Sequence, residues 1–141
     1  MDRDVIEAKL ESLRRAVARV QARCPASPEA LAADVDAQDI VSLNLTRAIQ
    51  LCVDVGAHLV ADLALPVPET MGATFDTLAE AGVLEPDLAS RLRRAVGFRN
   101  LAVHHYRALD WRAVHALATT RLDDFAAFTR AVAAWLEAPG G

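Results

Sequence analysis

The segment from Ile40 to Leu65 constrains the fold more than any other part of this 141-residue chain. At about 100° per residue, Ile40, Val41, Leu43, Leu45, Ile49, Leu51, Val53, Val55, Leu59 and Val60 leave almost no polar side on a helix. A helix that is apolar all round has to be covered on most sides. That places it at the centre of a bundle, at a subunit interface, or both. Arg47, Asp54, His58 and Asp62 interrupt the run, and charges in mid-span argue against a membrane helix. Asp36 is the expected cap, with the helix running to about Asp62 or Leu63.

The flanking segments also read as helices. Ile6, Leu10, Leu13, Val17 and Val20 recur at alternating spacings of four and three, the seam of an amphipathic helix. Arg14, Arg15, Arg19 and Arg23 fall off that seam, and Cys24-Pro25 ends it. Ser27 and Pro28 start a short turn as cap and first helical residue. After the loop Leu65–Pro68, a short helix is expected over Met71–Ala81, with Gly82 as its stop. Pro86 opens the next helix, whose apolar side is Leu88, Leu92, Ala95, Val96 and Val103. Asp110 caps a last helix expected from Trp111 to about Leu136. The predicted architecture is all-α: an antiparallel helical bundle of four long helices plus one or two short ones. One domain is expected over 1–141, with its core at about 4–136 and a tail at 137–141. The second long helix is too apolar to be covered by one small bundle, so a homodimer is expected.

Composition agrees and adds a functional hint. Hydrophobic residues are 53% of the chain and aromatics 5%, which excludes a disordered chain and favours helices over sheets. The formal net charge is −4. The window Arg91–Arg112 holds six arginines and one acid, a local +5 that leaves −9 for the remainder. A basic segment on an acidic body suits a local polyanion contact rather than a general nucleic-acid coat. Cys24 and Cys52 belong to no metal-binding pattern, and neither a metal nor a cofactor is expected. The amphipathic N-terminus carries no signal-like apolar stretch, so the chain is expected in the cytoplasm with reduced thiols.

The densest polar cluster, Gly97 to Tyr106, lies inside the basic window. Arginine offers a phosphate a fork of donors and offsets charge gained in a transition state. Histidine moves protons near neutral pH, and tyrosine donates a hydrogen bond or stacks on a base. Positions five apart on a helix lie roughly 140° apart around it. Arg99 and His104 therefore share no face of a straight helix. Either the helix ends or bends there, or the site combines residues from two subunits. The bland alternative is an arginine cap and a structural histidine at a helix end.

Arg99-Asn100 with His104-His105-Tyr106 resembles the R-x4-H-x-Y motif of HepT-type HEPN ribonuclease toxins. Asp39–Gln50 with Cys52-Val53-Asp54 and His58-Leu59 is similar to that family's second helix. Gly72, Phe75, Asp76, Leu78, Gly82 and Leu84 resemble its short middle helix, so the likeness spans roughly 4–136. The resemblance implies a HEPN-like homodimer that cleaves RNA, transfer or messenger, without a metal, as the toxin of a type VII-like toxin–antitoxin module. It implies Arg99 and His104 as catalytic residues. It also implies Tyr106 as the residue that a minimal nucleotidyltransferase antitoxin neutralises by AMPylation. Asn100, His105, Arg94 and Arg107 are expected to support RNA binding. The rival expectation is a non-catalytic helical dimer that only binds such a transferase.

Asn44, Arg47, Asp54 and His58 share a stripe of the apolar helix. They are expected either to form a polar network at the dimer seam or to orient Arg99 or His104. In that stripe the spacing lets Asp54 pair with His58 one turn on. His115 is expected at the surface or at the boundary of the core. Trp111 and Trp135 are expected to pack at bundle ends, with Trp111 also near enough to the basic segment to stack on a base.

Overall fold

The computed structural model describes residues 2–138, so the last three residues of the expected tail lie outside the described residues. The helices are α1 (Arg3–Arg23), α2 (Pro28–Ala32), α3 (Val35–Asp62), α4 (Ala73–Glu80), α5 (Pro86–His104), α6 (Trp111–Thr119) and α7 (Asp123–Glu137). A 3₁₀ turn, Tyr106–Ala108, links α5 to α6. No strand occurs among the described residues.

The four long helices are α1, α3, α5 and α7, as the apolar periodicities require. The single helix expected after Asp110 is in fact two. α6 stops at Thr119, whose hydroxyl donates to the His115 carbonyl at 2.7 Å. The Arg121 amide then donates to the Ala116 carbonyl five residues back at 3.1 Å, a bond that closes the helix. The chain restarts with Asp123 and Asp124 in the first turn of α7, where their charge suits the helix end. Arg91 holds Asp124 at 2.9 Å and ties that turn to α5. The break lets α6 cover α2 while α7 packs on α1 and α5.

Capping explains the other boundaries. Ser27 Oγ accepts from the Ala30 amide at 3.1 Å, with Pro28 as first helical residue. Asp110 accepts from the Arg112 amide at 3.0 Å. The cap of α3 is Asp34 rather than Asp36: its Oδ1 accepts from the Ala37 amide at 3.0 Å from an extended backbone. Asp36, two residues later, sits in the first turn and acts through its charge. Gly82 ends the α4 region with φ +83°. Glycine adopts that left-handed conformation without strain.

α3 packs against every other α-helix and is the axis of the bundle. It is long and apolar enough to span a membrane, but 56% of its most apolar window is buried within the protein. Phe75 and Phe128 meet edge to face beside it, with centroids 6.2 Å apart, an arrangement that aromatic rings favour. Gly56 lets α4 approach closely. A Cβ there would lie 2.7 Å from Thr74 Cγ2 and 3.2 Å from Leu78 Cδ1, both on buried side chains. Gly56→Ala is therefore expected to destabilise the fold by about 1–3 kcal/mol through overpacking. Helix propensity alone would stabilise it by about 1 kcal/mol, so the sign of the shift in denaturation midpoint decides between the two effects.

Candidate active site

α5 carries the cluster. The helix is regular through its last residue, His104: the His105 amide donates to the Leu101 carbonyl at 2.7 Å, and only at His105 does the backbone leave helical geometry. Arg99 and His104 therefore project roughly 140° apart from one helix, and no bend within α5 brings them together.

Arg99 is half-buried. Its Nη1 donates to Asn100 Oδ1 at 3.1 Å. Its Nε is buried and has no partner among the described residues. An unpaired buried donor on a cation is costly, and an anionic oxygen would satisfy it. His104, His105 and Arg107 are exposed. Arg94 is held apart from them: it donates to Ser90 Oγ at 3.3 Å and lines a depression with Phe98, Leu117 and Arg121.

Tyr106 opens the 3₁₀ turn and is 37% exposed. Its ring meets Trp111 edge-on at 5.8 Å. Its hydroxyl donates to Asp39 Oδ1 at 2.7 Å, a contact between residues 67 apart in the chain. Burial, and after it the Asp39 carboxylate, raises the phenol above its ordinary value of 10.0, because both disfavour the phenolate. The hydrogen bond therefore stabilises the fold fully below pH 10.0, and that contribution is lost as pH rises through the raised value. Since Tyr106 is the only tyrosine, a near-ultraviolet absorbance titration is expected to show one phenol ionising above the ordinary range in the folded chain. The unfolded chain should titrate normally.

Asp39 and Ser42 were not among the site residues expected from sequence. Together with Leu43, Thr46, Ala102, Val103 and Tyr106 they line a cleft of about 220 Å³ between the first half of α3 and the end of α5. A helix-face pattern on α3 marks Asp39 as exposed, but nothing local points to a tyrosine two helices later.

The polar stripe on α3 divides. Asn44 is buried and its Nδ2 donates to the Ile40 carbonyl at 2.8 Å. Asp54 does not pair with His58: it accepts from Gln50 at 3.0 Å and lies 3.9 Å from Lys9 Nζ on α1. The side chain that Asp54 finds is one turn back rather than one turn on, because α1 covers that side. His58 makes no hydrogen bond among the described residues. Arg47 is exposed and lines an α1–α3 groove of about 490 Å³ with Arg15 and Arg19. None of the three bonds to Arg99 or His104. His115 is buried rather than at the surface, with Nε2 2.9 Å from the Pro25 carbonyl, where it ties α6 to the α1–α2 link.

A family model described as ribonuclease HepT-like matches residues 13–132. The mRNA nuclease HepT of Shewanella oneidensis is 30% identical over 125 residues, 89% of this chain and 93% of that protein. The solved structure of a toxin–antitoxin with AMP-PNP superposes with a TM-score of 0.88 at 29% identity, covering 93% of this chain and 98% of that one. A tri-AMPylated Shewanella oneidensis HEPN toxin in complex with MNT antitoxin superposes with a TM-score of 0.87 at 30% identity, covering 95% and 99%. Length, fold and motif-bearing helix all lie inside these matches, and the chain belongs to the HepT-like ribonuclease family.

Proposed function

We propose that this chain is the toxin of a toxin–antitoxin module, a homodimeric endoribonuclease whose Arg99 and His104 cleave RNA by attack of its own 2′-hydroxyl. The observation that carries the reading is the unpartnered, buried Nε of Arg99. It lies on the helix that ends in an exposed histidine. A phosphodiester oxygen is the acceptor that such a donor lacks.

The chemistry needs little else. The 2′-oxygen forms a bond to phosphorus as the 5′-oxygen leaves, giving a cyclic phosphate end. His104 moves the proton to or from an oxygen, and Arg99 offsets the charge gathering on phosphorus-bound oxygens. Asn100, His105, Arg94 and Arg107 would contact the RNA backbone.

Two features support a second copy. Arg99 and His104 face apart on one helix, so a complete site draws one from each protomer or groups both pairs in one trough. Beside them, Leu43 and Val103 are each 50% exposed, and Leu101 is 36% exposed. An apolar patch of this kind marks an interface.

Tyr106 would accept AMP from a minimal nucleotidyltransferase antitoxin, placing bulk and negative charge two residues from His104. The names of the related toxin structures support that partner. The two free thiols fit a cytoplasmic setting.

Incubating the purified chain with cellular RNA and a chelator tests the reading: cleavage to cyclic-phosphate ends is the expected result. Leu43→Glu, at an exposed position, should shift the chain to monomer in sedimentation and abolish that cleavage while leaving the helical melt in place. Cleavage that persists in a monomer would rule out a shared site.

A further inference from the structure

We infer that Asp39 is a catalytic residue for modification of the chain's own tyrosine: it aims the Tyr106 hydroxyl and takes its proton as that oxygen attacks the α-phosphorus of ATP. This rests on the reading of Tyr106 as the AMP acceptor.

The geometry is that of a prepared nucleophile. Trp111 fixes the ring from its edge, and Asp39 Oδ1 fixes the hydroxyl at 2.7 Å. Holding a reacting group in one orientation removes freedom that the transition state would otherwise have to lose. Tyr106 is still reachable, since it lines the cleft with Ser42, Thr46 and Val103 and the residue is 37% exposed. Asp39 itself is exposed, and among the described residues no cation pairs with it. Its lone pairs are thus free to receive a proton, whereas an ion-paired carboxylate would be a weaker acceptor.

The step balances without another protein group. The phenol oxygen bonds to the α-phosphorus, the bond from that phosphorus to the bridging oxygen of the β-phosphate breaks, and pyrophosphate leaves. The phenolic proton passes to Asp39 and on to water. A carboxylate cannot strip a resting phenol, and here it disfavours free phenolate. It accelerates transfer because the phenol becomes acidic only as its oxygen bonds to phosphorus, when an acceptor already within hydrogen-bond reach takes the proton. The product cannot re-form the contact. An aryl phosphodiester has no proton to donate, and its negative charge repels Asp39. The same residue that favours transfer therefore disfavours return.

A residue that merely tethers Tyr106 predicts the opposite sign, because removing a tether frees the nucleophile. The test uses the full chain, its nucleotidyltransferase and ATP labelled at the α-phosphate, with Asp39→Asn and Asp39→Glu beside wild type. Initial rates of label incorporation and intact mass are measured, with a thermal melt as the control for folding. Asp39→Asn is expected to slow transfer by about 10²-fold, and Asp39→Glu, which keeps an acceptor, to recover part of the rate. The single tyrosine of Asp39→Asn should also titrate closer to the ordinary phenol range. Transfer to Asp39→Asn at the wild-type rate or faster overturns the role of Asp39 while leaving Tyr106 as acceptor. A wild-type chain that takes up no AMP at Tyr106 overturns the acceptor reading and this inference together.

Discussion

His104→Ala is expected to slow RNA cleavage by about 10²- to 10⁴-fold, the range for losing a positioned acid–base group, with little change in thermal stability. The stability half of the expectation follows from its position. His104 is the last residue of α5, is exposed, and packs in no core. Replacing an exposed residue of this kind stays within about 0.5 kcal/mol. Arg99→Ala should cost about 10²- to 10³-fold by removing transition-state charge stabilisation. Arg99→Lys should recover little, because an ammonium lacks the guanidinium Nε–H, which here lies buried without an acceptor.

The two variants together test how the site is assembled. Neither inactive homodimer should cleave RNA. In a heterodimer of His104→Ala with Arg99→Ala, the first protomer brings an intact Arg99 and the second an intact His104. If one site needs one residue from each protomer, that heterodimer holds one complete site and one empty one. Mixing the variants in equal amounts should then restore about a quarter of wild-type cleavage, since half the dimers are mixed and each has one of two sites. If the residues worked within one protomer, mixing would restore nothing. The helix stays regular through His104, with the His105 amide bonded to Leu101, and that favours recovery.

Much of this molecule is visible in its residues, and most of the parts that are not share one cause. The four long helices follow from apolar period, and the boundaries at Ser27, Pro28, Gly82, Pro86 and Asp110 from residues that each act within three or four positions of themselves. Apart from the α3 cap, which is Asp34 rather than Asp36, the failures involve contacts made at long range. The seam of Val114, Leu122, Phe125 and Val132 runs on past the Thr119 break because both pieces bury apolar side chains in one core, so periodicity cannot see the break. His115 looks peripheral until the Pro25 carbonyl, ninety residues earlier, is placed against its ring. Asp54 and His58 have the spacing of a helical pair, but Lys9 of α1 and Gln50 take the carboxylate instead. Arg99, His104 and Tyr106 are legible as a string. The Asp39 contact to Tyr106 is not, since 67 residues separate the two.

Tyr106→Phe should remain toxic to cells that also express the nucleotidyltransferase, whereas the wild-type chain should be neutralised. The substitution removes one oxygen and leaves the ring, so the edge contact with Trp111 survives. Losing a hydrogen bond to a charged group costs about 1.5–3 kcal/mol. The cost here falls at the low end, because the Asp39 carboxylate left behind is exposed and returns to water. The folded fraction therefore stays high, and the surface around Arg99 and His104, the proposed cleavage site, is untouched. What disappears is the only oxygen to which AMP can be attached at this position. Growth arrest by the variant in the presence of the transferase, with no AMP on the recovered protein, would make covalent modification the neutralising event. If the variant is instead neutralised as well as wild type, the partner acts by occupying the trough, and Tyr106 is not where the toxin is controlled. The carboxylate partner distinguishes the phenol from a mere packing residue: its hydroxyl donates to Asp39 at 2.7 Å, and phenylalanine has no such donor.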